Sequence, residues 1–496
     1  MIDNEQMNDL QLEDVEDYSA DYPPVGFPNA EENMAPMAGN SEDMAGYKSS
    51  KYRRSALATL VHNNKWSIAV LGVIVIVLIG VLAAAVGKDE ARPSSSEAAG
   101  VPPVTHDPAG LDQDVLATFK SSLLAVYDRH NLDTTPLDDD QGDTPQRKAM
   151  HWMCTDPNVN SIEHTEKLQR YVLGVLFYAT NMVPNDYAEE PSPWLKADNW
   201  ITNAHSCDWM GVVCDDKKEI VSIDLERNRL SGKLPLELAI IGNKFKTLDL
   251  TSNLLHMKGM KDYDCFKSFT SMETLLMDDN YLYHKNGLPE QFRHMTNLEK
   301  LRLSYNLFEG VLESGENPVL GAMPKLTHLE IESNFISGTM PAAIGNLENL
   351  VYLYMRRNNM SYNLDFLKTG KLVDLFAMWL DSNAITGSIP TEIGLYTGLA
   401  SLSLTNATLT GTIPEEMGQL TDLHRLWLYS NQLTGTIPAA LGSLANLEVV
   451  ELHNNKLTGQ MPQGVCDSVG KADYEYKSLT SNCISEVTCE CCTECF

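Results

Sequence analysis

The feature that most constrains this chain is an asparagine that recurs at nearly constant spacing. Nine copies lie in its second half: Asn228, Asn253, Asn280, Asn306, Asn334, Asn358, Asn383, Asn431 and Asn455. The intervals between them are 24 to 28 residues, apart from one of 48 that spans two units. A repeat of this length predicts a solenoid, in which each unit packs only against its neighbours. Function is therefore to be sought on a face of the solenoid.

The clearest unit, residues 423–438, has leucine at fixed positions and ends in Gly-Thr-Ile-Pro. Leu426 and Leu428 alternate with other residues, which predicts a short strand whose leucines point inward. An asparagine amide turned inward would bond the backbone of its own and the neighbouring unit, and so form the rung of a ladder. Ala407 occupies one ladder position, so the pattern predicts ten strands but nine asparagine rungs.

These units resemble the plant-type leucine-rich repeat, whose hallmark Gly-x-Ile-Pro stands here at 387–390, 411–414 and 435–438. The resemblance implies an α/β solenoid, a leucine-rich repeat superhelix of about ten repeats, with a second short strand at that element. Residues 241–323 lack most of the element and carry extra residues such as 313–318. We interpret them as true repeats with looped-out convex sides.

Two groups of cysteines flank the repeats. The segment from Cys207 to Cys214 reads C-x-W-x-G-V-x-C and resembles the N-terminal cap of the same family, which a disulfide closes. The second group is Cys466, Cys483, Cys489, Cys491, Cys492 and Cys495. The end of this group, and the helical segment before the N-terminal cap, resemble leucine-rich repeat proteins of diatoms.

Cysteines clustered at two caps indicate disulfides and an oxidising compartment. Zinc binding by Cys492 and Cys495 is the alternative, but no second clean CxxC or histidine pair follows at zinc-ribbon distance. Cys154 and Cys265 are left over; pairing with each other and burial as thiols are both open.

An uncharged segment of 20 residues, 67–86, is long enough to cross a bilayer as a helix. Five basic residues lie between 48 and 65, with no acid after Asp43, whereas the basic residues just beyond the segment are balanced by Asp89 and Glu90. The positive-inside rule predicts a cytosolic N-terminus, so the segment is an uncleaved signal anchor with the repeats outside. Cleavage at the alanines 83–85 would instead release a secreted protein.

The chain divides by composition. Twelve acids precede Lys48, and such a segment cannot bury enough apolar surface to fold alone. Apolar residues at helical spacing predict helices at 111–130, 144–153 and 165–181, which we expect to cover the first repeat. The expected domains are a disordered acidic cytosolic tail (1–66), a transmembrane helix (67–86), a flexible stalk (87–110), a helical region with the N-terminal disulfide cap (111–218), leucine-rich repeats (219–462) and a Cys-rich C-terminal cap (463–496).

Charge and motif content exclude several functions. The net charge of −30 argues against nucleic acid as a partner. The acidic run 138–143 lacks the glycine and glutamate of a helix–loop–helix calcium site, so we interpret it as a solvated loop. No nucleophile–base constellation and no Gly-rich phosphate loop are found. We therefore expect no enzyme activity, no cofactor and no metal site.

Side chains between the strand leucines are expected to line the concave sheet. Large aromatics and arginine concentrate there in repeats six to nine, and these residue types dominate binding energy at interfaces. The predicted binding residues are Tyr352, Tyr354, Arg356, Arg357, Trp379, Asp381, Arg425, Trp427 and Tyr429. Cross-strand aromatic packing that only stabilises the sheet is the alternative.

The sequence thus predicts a membrane-anchored extracellular recognition protein, receptor-like or adhesive, that binds a protein, peptide or saccharide. A secreted or wall-surface enzyme inhibitor or structural protein is the alternative. In plant receptor-like repeat proteins the membrane helix follows the repeats, whereas here it precedes them, so kinase-type signalling is not implied. The Gly80-x-x-x-Ala84 spacing suits close helix packing, which adds a homodimer or a co-receptor as an expected partner. The plasma membrane is preferred over the Golgi as location.

Two Asn-x-Ser/Thr sequons begin at Asn359 and Asn406. Both are predicted glycosylation sites, and Asn359 is preferred. For Asn406 the alternative is a displaced ladder rung with its side chain turned inward.

Overall fold

The structure is a computed structural model that describes residues 113–138, 142–181, 193–312, 319–471, 478–482 and 487–495. The expected tail 1–66, membrane helix 67–86 and stalk 87–110 lie outside these residues, as does part of the acidic loop 138–143. Within the described ranges, none of the helices combines the length and apolar character needed to cross a membrane.

One sheet of 13 strands runs through the described part of the chain, parallel apart from its antiparallel first pair. The strands are β1 (Val212–Cys214), β2 (Ile220–Asp224), β4 (Thr247–Asp249), β6 (Thr274–Leu276), β7 (Lys300–Arg302), β9 (His328–Glu330), β11 (Tyr352–Tyr354), β13 (Ala377–Trp379), β15 (Ser401–Ser403), β16 (Arg425–Trp427), β18 (Val449–Glu451), β20 (Ser478–Ser481) and β22 (Glu494–Cys495). The ten strands predicted from the leucine pattern are β2 to β18 of this sheet, which confirms that prediction.

The core is a stack of the strand leucines. Leu402 pairs with Leu426, which pairs with Val450, and all three are buried. Each such side chain contributes about 1.5–3 kcal/mol when its apolar surface leaves water. Because a single unit cannot cover this face, the solenoid forms only as a stack.

A second row of short strands flanks the sheet. The row consists of β3 (Ser231–Gly232), β5 (Leu254–Leu255), β8 (Glu309–Val311), β10 (Phe335–Gly338), β12 (Asn359–Asn363), β14 (Ala384–Thr386), β17 (Thr434–Thr436), β19 (Lys456–Gln460) and β21 (Val487–Thr488). The expected second strand is present beside Gly387 and around Gly435, but residues 411–414 form no strand, so the expectation is wrong for that element. Gly435 has φ +79°, and a Cβ there would lie 2.9 Å from a methyl group of Thr412. Units without the full Gly-x-Ile-Pro element form this strand as well.

Short 3-10 helices cover the convex side. They are Leu236–Ile240, Gly242–Lys244, Met260–Ser268, Glu290–His294, Leu320–Ala322, Ile344–Asn346, Asp365–Thr369, Thr391–Leu395, Glu415–Gln419 and Ala439–Ser443. The irregular units at 241–323 are true repeats, because β4, β6 and β7 pair in register within the sheet. Their extra length includes the nine-residue helix Met260–Ser268, whereas 313–318 lies outside the described residues.

The asparagine ladder has the predicted geometry. The Asn431 amide donates to the carbonyls of Leu404 in the preceding unit (2.8 Å) and Leu428 in its own unit (3.0 Å). Its oxygen accepts the N–H of Leu409 at 3.1 Å. The first rung, Asn228, instead exchanges both bonds with the backbone of Lys196 in the N-terminal cap.

The residue before each ladder position has a left-handed backbone. In repeat order these residues are Arg227, Ser252, Asp279, Tyr305, Ser333, Arg357, Ser382, Asn406, Ser430 and Asn454, with φ between +49° and +57°. Asn406 is therefore not a displaced rung, and that alternative is wrong. It precedes Ala407, as Ser430 precedes Asn431, and its side chain is exposed.

Three helices precede the repeats: α1 (Gln113–His130), α2 (Pro145–Cys154) and α3 (His164–Thr180). They lie where helical spacing predicted them. Shorter 3-10 turns follow at Thr135–Leu137, Val159–Ser161 and Ser206–Asp208. The hydroxyl of Tyr127 on α1 is 2.7 Å from the carboxylate of Glu237 in the first repeat, to which it donates. Glu237 is buried, so this contact fixes the helical region on the repeat that it covers.

The helical region is held internally by a buried ion pair. Arg170 on α3 is 3.0 Å from Asp156, and both side chains are almost inaccessible to water. The same guanidinium donates to the carbonyl of Thr202 and lies 5.2 Å from the ring centroid of Trp152.

Disulfides close both caps. Cys207 pairs with Cys214, as the family resemblance implied. After α4 (Gln463–Lys471), Cys466 pairs with Cys491 and Cys489 pairs with Cys492. Cys492 is therefore not a zinc ligand, and the zinc alternative is dropped. Cys483 and the side chain of Cys495 lie outside the described part of the chain. Cys154 and Cys265 are buried thiols, and burial raises the pKa of Cys265.

Candidate ligand-binding face

One column of side chains crosses the concave sheet between the strand leucines. Tyr354 pairs with Trp379, then follow Ser403, Trp427 and Glu451 on successive strands. The order and register are those read from the repeats. Because neighbouring strands lie about 4.8 Å apart, adjacent side chains of the column are within contact distance.

Three aromatic rings of this column interact across the strands. Tyr354 stacks on Trp379 with centroids 4.5 Å apart, and Trp427 meets Trp379 edge-on at 6.4 Å. The guanidinium of Arg356 lies 4.7 Å from the Trp379 ring, and the Trp379 indole N–H donates to Ser401 Oγ at 2.8 Å. We call Tyr354, Trp379 and Trp427 the aromatic patch; all three are half-buried.

Two further predicted tyrosines each stack on a histidine. Tyr352 lies on His328 with centroids 4.5 Å apart, and Tyr429 lies on His453 at 4.6 Å, with nearly parallel rings. His453 Nδ1 is 2.7 Å from the Thr480 hydroxyl. The sequence analysis did not predict either histidine, because it considered mainly the column between the two apolar residues of each strand, and both histidines lie outside that column.

The remaining predicted residues differ in exposure. Arg357 is exposed at a left-handed position, and Arg425 is half-buried at the start of β16. Asp381 is buried and accepts a hydrogen bond of 2.9 Å from Ser403 Oγ. Burial raises the pKa of Asp381. Asp381 therefore supports the surface from beneath, whereas Arg357 is open to solvent and Arg425 is partly so.

A chain of ion pairs lies beside the aromatic patch. Arg302 Nε is 2.7 Å from Asp278 and 3.2 Å from Glu330. Arg356 Nε is 2.6 Å from Glu332. Four of these five residues were not predicted as site residues. Asp278 and Glu332 stand directly after the second apolar residue of their strands and form a column of their own, whereas Arg302 and Glu330 belong to the column between the two apolar residues.

Burial changes the titration of this chain of ion pairs. It raises the pKa of Glu330 to about 7 and that of Asp278 to about 6, although Arg302 opposes both shifts. Burial also lowers the pKa of His328 to about 4, helped by Lys300. The face thus carries groups that titrate near neutral pH.

Comparisons with known proteins support the fold. A model of the family Leucine Rich Repeat matches residues 325–347 and 422–444. Receptor-like protein 41 of Arabidopsis thaliana is 30% identical over an alignment of 210 residues, and the match covers 38% of this chain and 23% of that protein. Receptor like protein 24 of the same plant is 30% identical over 190 residues, 38% of this chain and 22% of that protein.

Among solved structures, the ectodomain of the Arabidopsis receptor kinase HAESA, in complex with an N-terminally extended IDA peptide hormone, is 25% identical with a TM-score of 0.50. The match covers 64% of this chain and 55% of that one. A plant ice-binding protein matches with a TM-score of 0.50 over 60% of this chain and 90% of that one; at 20% identity this likeness shows the fold alone. The chain therefore has the leucine-rich repeat fold, and over the matched segments it is similar to plant receptor-like proteins.

This leucine-rich repeat protein spans less than a quarter of the length of the two Arabidopsis receptor-like proteins that it matches. The activities of those whole proteins therefore do not transfer to it directly. Its own described residues contain no group of three or more His, Cys, Asp or Glu side chains placed to hold a metal ion. The concave face with the aromatic patch is therefore the candidate functional site.

The two predicted glycosylation sites are both exposed. Asn359 begins β12 in the second row of strands and is exposed, and Asn406 is exposed at its left-handed position. Glycans on either residue stay predictions.

Proposed function

We propose that this leucine-rich repeat protein recognises an extracellular peptide through the concave face, with the aromatic patch as the main contact. The observation that carries the proposal is the partial exposure of Trp379 and Trp427 on one face, with Arg356 beside Trp379. Side chains of this type, placed centrally on a surface, supply most of the binding energy at interfaces. The HAESA ectodomain, which was solved with a peptide hormone, has the same repeat fold. A co-receptor as additional partner belongs to the same proposal.

A stabilising role in the sheet is the rival explanation. Tyr354, Trp379 and Arg356 do contact one another, and stacked pairs contribute about 0.5–1.5 kcal/mol to stability. However, that role does not require Trp427, which meets the group only edge-on at 6.4 Å and is left half-buried. Trp427 is therefore the residue that separates the two explanations.

The test starts from a displayed library of linear peptides of about 12 residues, long enough to cross several strands in extended form. Peptides selected on the folded protein are then measured against Trp427→Ala. We expect binding to weaken about 30-fold or more, as for a central interface tryptophan that contributes at least ~2 kcal/mol, with little change in melting temperature. Trp379→Ala should weaken binding as well and lower the melting temperature further.

The matched control is Phe335→Ala, which removes an aromatic ring that is 61% exposed in the second row of strands, away from the concave face. It should leave peptide binding unchanged. Unchanged binding in Trp427→Ala, with a lowered melting temperature, would establish the stabilising role. Binding of glycans but not peptides on an array would move the ligand class to saccharides.

We further propose that segment 67–86 anchors the protein in the plasma membrane with its N-terminus in the cytosol. The charge asymmetry around that segment and the disulfides of both caps support this orientation. Cleavage after the anchor would give the secreted form, an inhibitor or wall protein.

A further inference from the structure

The half of the concave face that precedes the aromatic patch is acidic. Between β2 and β9, the outward positions in and just after the strands hold six carboxylates against two cations, Lys300 and Arg302. The carboxylates are Asp224, Glu226, Asp249, Asp278, Glu330 and Glu332. We call this set the acidic half.

Most of these carboxylates already have a cationic partner. Arg302 pairs with Asp278 and Glu330, and Arg356 pairs with Glu332. Glu226 is 3.2 Å from Arg227.

Asp224 and Asp249 differ from the other four. They pair in register on β2 and β4, and each accepts only a backbone N–H, from Glu226 and Thr251 respectively. Neither has an ion pair within the part of the chain that the structure describes. Two adjacent carboxylates with unused lone pairs, on an accessible face, favour a cationic group.

Within the described ranges, a buried hydroxyl without a hydrogen-bond partner lies on the same half of the face. Ser304 is 4% exposed, and its hydroxyl has no hydrogen-bond partner among the described residues. Its backbone N–H donates to Asp278 Oδ1 at 2.7 Å, so the side chain lies within the acidic half. A buried hydroxyl without a partner costs free energy that a polar group arriving at the concave face recovers.

The distance between the two regions sets the length of the ligand. Five strand steps separate Trp379 on β13 from Asp249 on β4. At about 4.8 Å a step the separation is roughly 24 Å, which an extended peptide spans with about seven residues.

We propose that the peptide ligand is bipolar: an apolar or aromatic segment binds the aromatic patch, and a lysine or arginine about seven residues away binds Asp224 and Asp249. The inference rests on the proposed function and adds the ligand's chemistry to it. The polar backbone between the two anchors passes Ser304 and supplies the partner that its hydroxyl lacks.

The test uses the same library of linear peptides, panned in parallel on the wild-type protein and on the double variant Asp224→Asn, Asp249→Asn. We expect wild-type selections to be enriched in a basic residue about six to eight positions from an aromatic or large apolar one. The double variant should lose that enrichment and bind the wild-type peptides about tenfold more weakly, with a smaller dependence on salt. The reversal Asp224→Lys, Asp249→Lys should select acidic residues at the same spacing.

The matched control removes two exposed carboxylates from the convex side, Glu415→Gln and Asp422→Asn, and should leave selection and affinity unchanged. Peptides that depend on Trp427 but show no basic residue, and that bind the double Asn variant as well as wild type, would overturn the bipolar ligand while the proposed function stands. A library from which nothing binds in a Trp427-dependent way would overturn both.

Discussion

At the scale of single residues, the ladder asparagine performs the same task in each unit after the first that has one. Its amide hydrogens reach carbonyls of two successive units, and its oxygen accepts an N–H of the earlier unit. The carbonyl of Leu428 accepts from both Asn431 and Asn455, which uses its two lone pairs. The corresponding carbonyl of Leu380 accepts from Asn383, and Ala407 leaves the second bond unmade.

We predict that Ala407→Asn stabilises the protein. The new amide would meet the carbonyls of Leu380 and Leu404, and the expected gain is about 1 kcal/mol in the free energy of unfolding. Asn431→Ala, the reverse change in the next unit, should cost about 1–3 kcal/mol because buried backbone groups lose their partners. Urea unfolding of both variants measures the two values. A loss of stability in Ala407→Asn would mean that the backbone of this repeat packs too closely around Ala407 to accept the larger asparagine side chain.

A second prediction concerns pH. An acid whose pKa is raised by folding stabilises the folded state most below its unfolded pKa, near 4, and loses that contribution as pH rises through the folded value. For Glu330 and Asp278 the loss therefore falls between about pH 4 and their folded values, about 7 and about 6. His328, with a pKa lowered to about 4, acts oppositely, since its contribution is lost as pH falls from about 6.5.

Glu330→Gln isolates one of these groups. Between about pH 5 and pH 8 the wild type should lose on the order of 1–2 kcal/mol of stability relative to this variant, because only the wild type must ionise a buried carboxyl. The measurement is chemical unfolding of both proteins at the two pH values. The exposed change Glu415→Gln should leave the pH dependence of stability as it is in the wild type. If Glu330→Gln leaves it unchanged too, Arg302 fully compensates the cost of burying the Glu330 carboxylate.

At the scale of elements, the three helices before the repeats form a cover whose own integrity depends on one ion pair. Arg170 on α3 is 2% exposed and Asp156 is 3% exposed, so neither can be solvated if the other is removed. The cover in turn joins the first repeat through Tyr127 and Glu237. A substitution that unfolds the helical region is therefore expected to expose the end of the leucine core to solvent.

We predict that Asp156→Ala destabilises the protein by about 3–5 kcal/mol, the usual cost of leaving a buried charge without its partner. The loss should be accompanied by a change in tryptophan fluorescence, because Arg170 lies over Trp152. As a control, Lys368→Ala breaks an ion pair whose side chains are more than half exposed and should cost less than about 1 kcal/mol. Similar melting temperatures for both variants would contradict the prediction.

The main sheet could be predicted because its pattern is local. Leu426, Leu428 and Asn431 define the buried face and the register of a strand within six residues, and the same motif recurs in the other repeats. The second row of strands was expected only at Gly-x-Ile-Pro, yet β8 and β12 form without the full element. Such a strand is held by the backbone of the neighbouring coil, which a local motif does not report.

The candidate site, like the fold, could be predicted from the sequence in part. The column through Tyr354 and Trp379 follows from the register of the repeats alone. The ion pairs of Arg302 do not, because they join residues that are 24 to 28 positions apart on three strands and belong to two different columns. Left-handed backbone at Tyr305 and Arg357 was also missed, since neither residue type signals it.

At the scale of the whole molecule, the orientation of the repeats decides which ligands can reach the concave face. We predict that an epitope placed after Phe496 is cut by protease on intact cells, and that one placed before Met1 is protected. Protection of both epitopes would place the protein in an internal membrane. Release of the C-terminal epitope into the medium would favour the secreted inhibitor or wall protein.

The left-handed residue before each ladder position has a consequence for how such a protein diversifies. The backbone there is set by the rung and its neighbours, so it has the same φ with serine, tyrosine, arginine, asparagine or aspartate. Ten positions along the solenoid thus tolerate exchange of the side chain at a cost of about 1–2 kcal/mol relative to glycine. During evolution one side chain per repeat can therefore be exchanged along this row without a change in the backbone of the repeat.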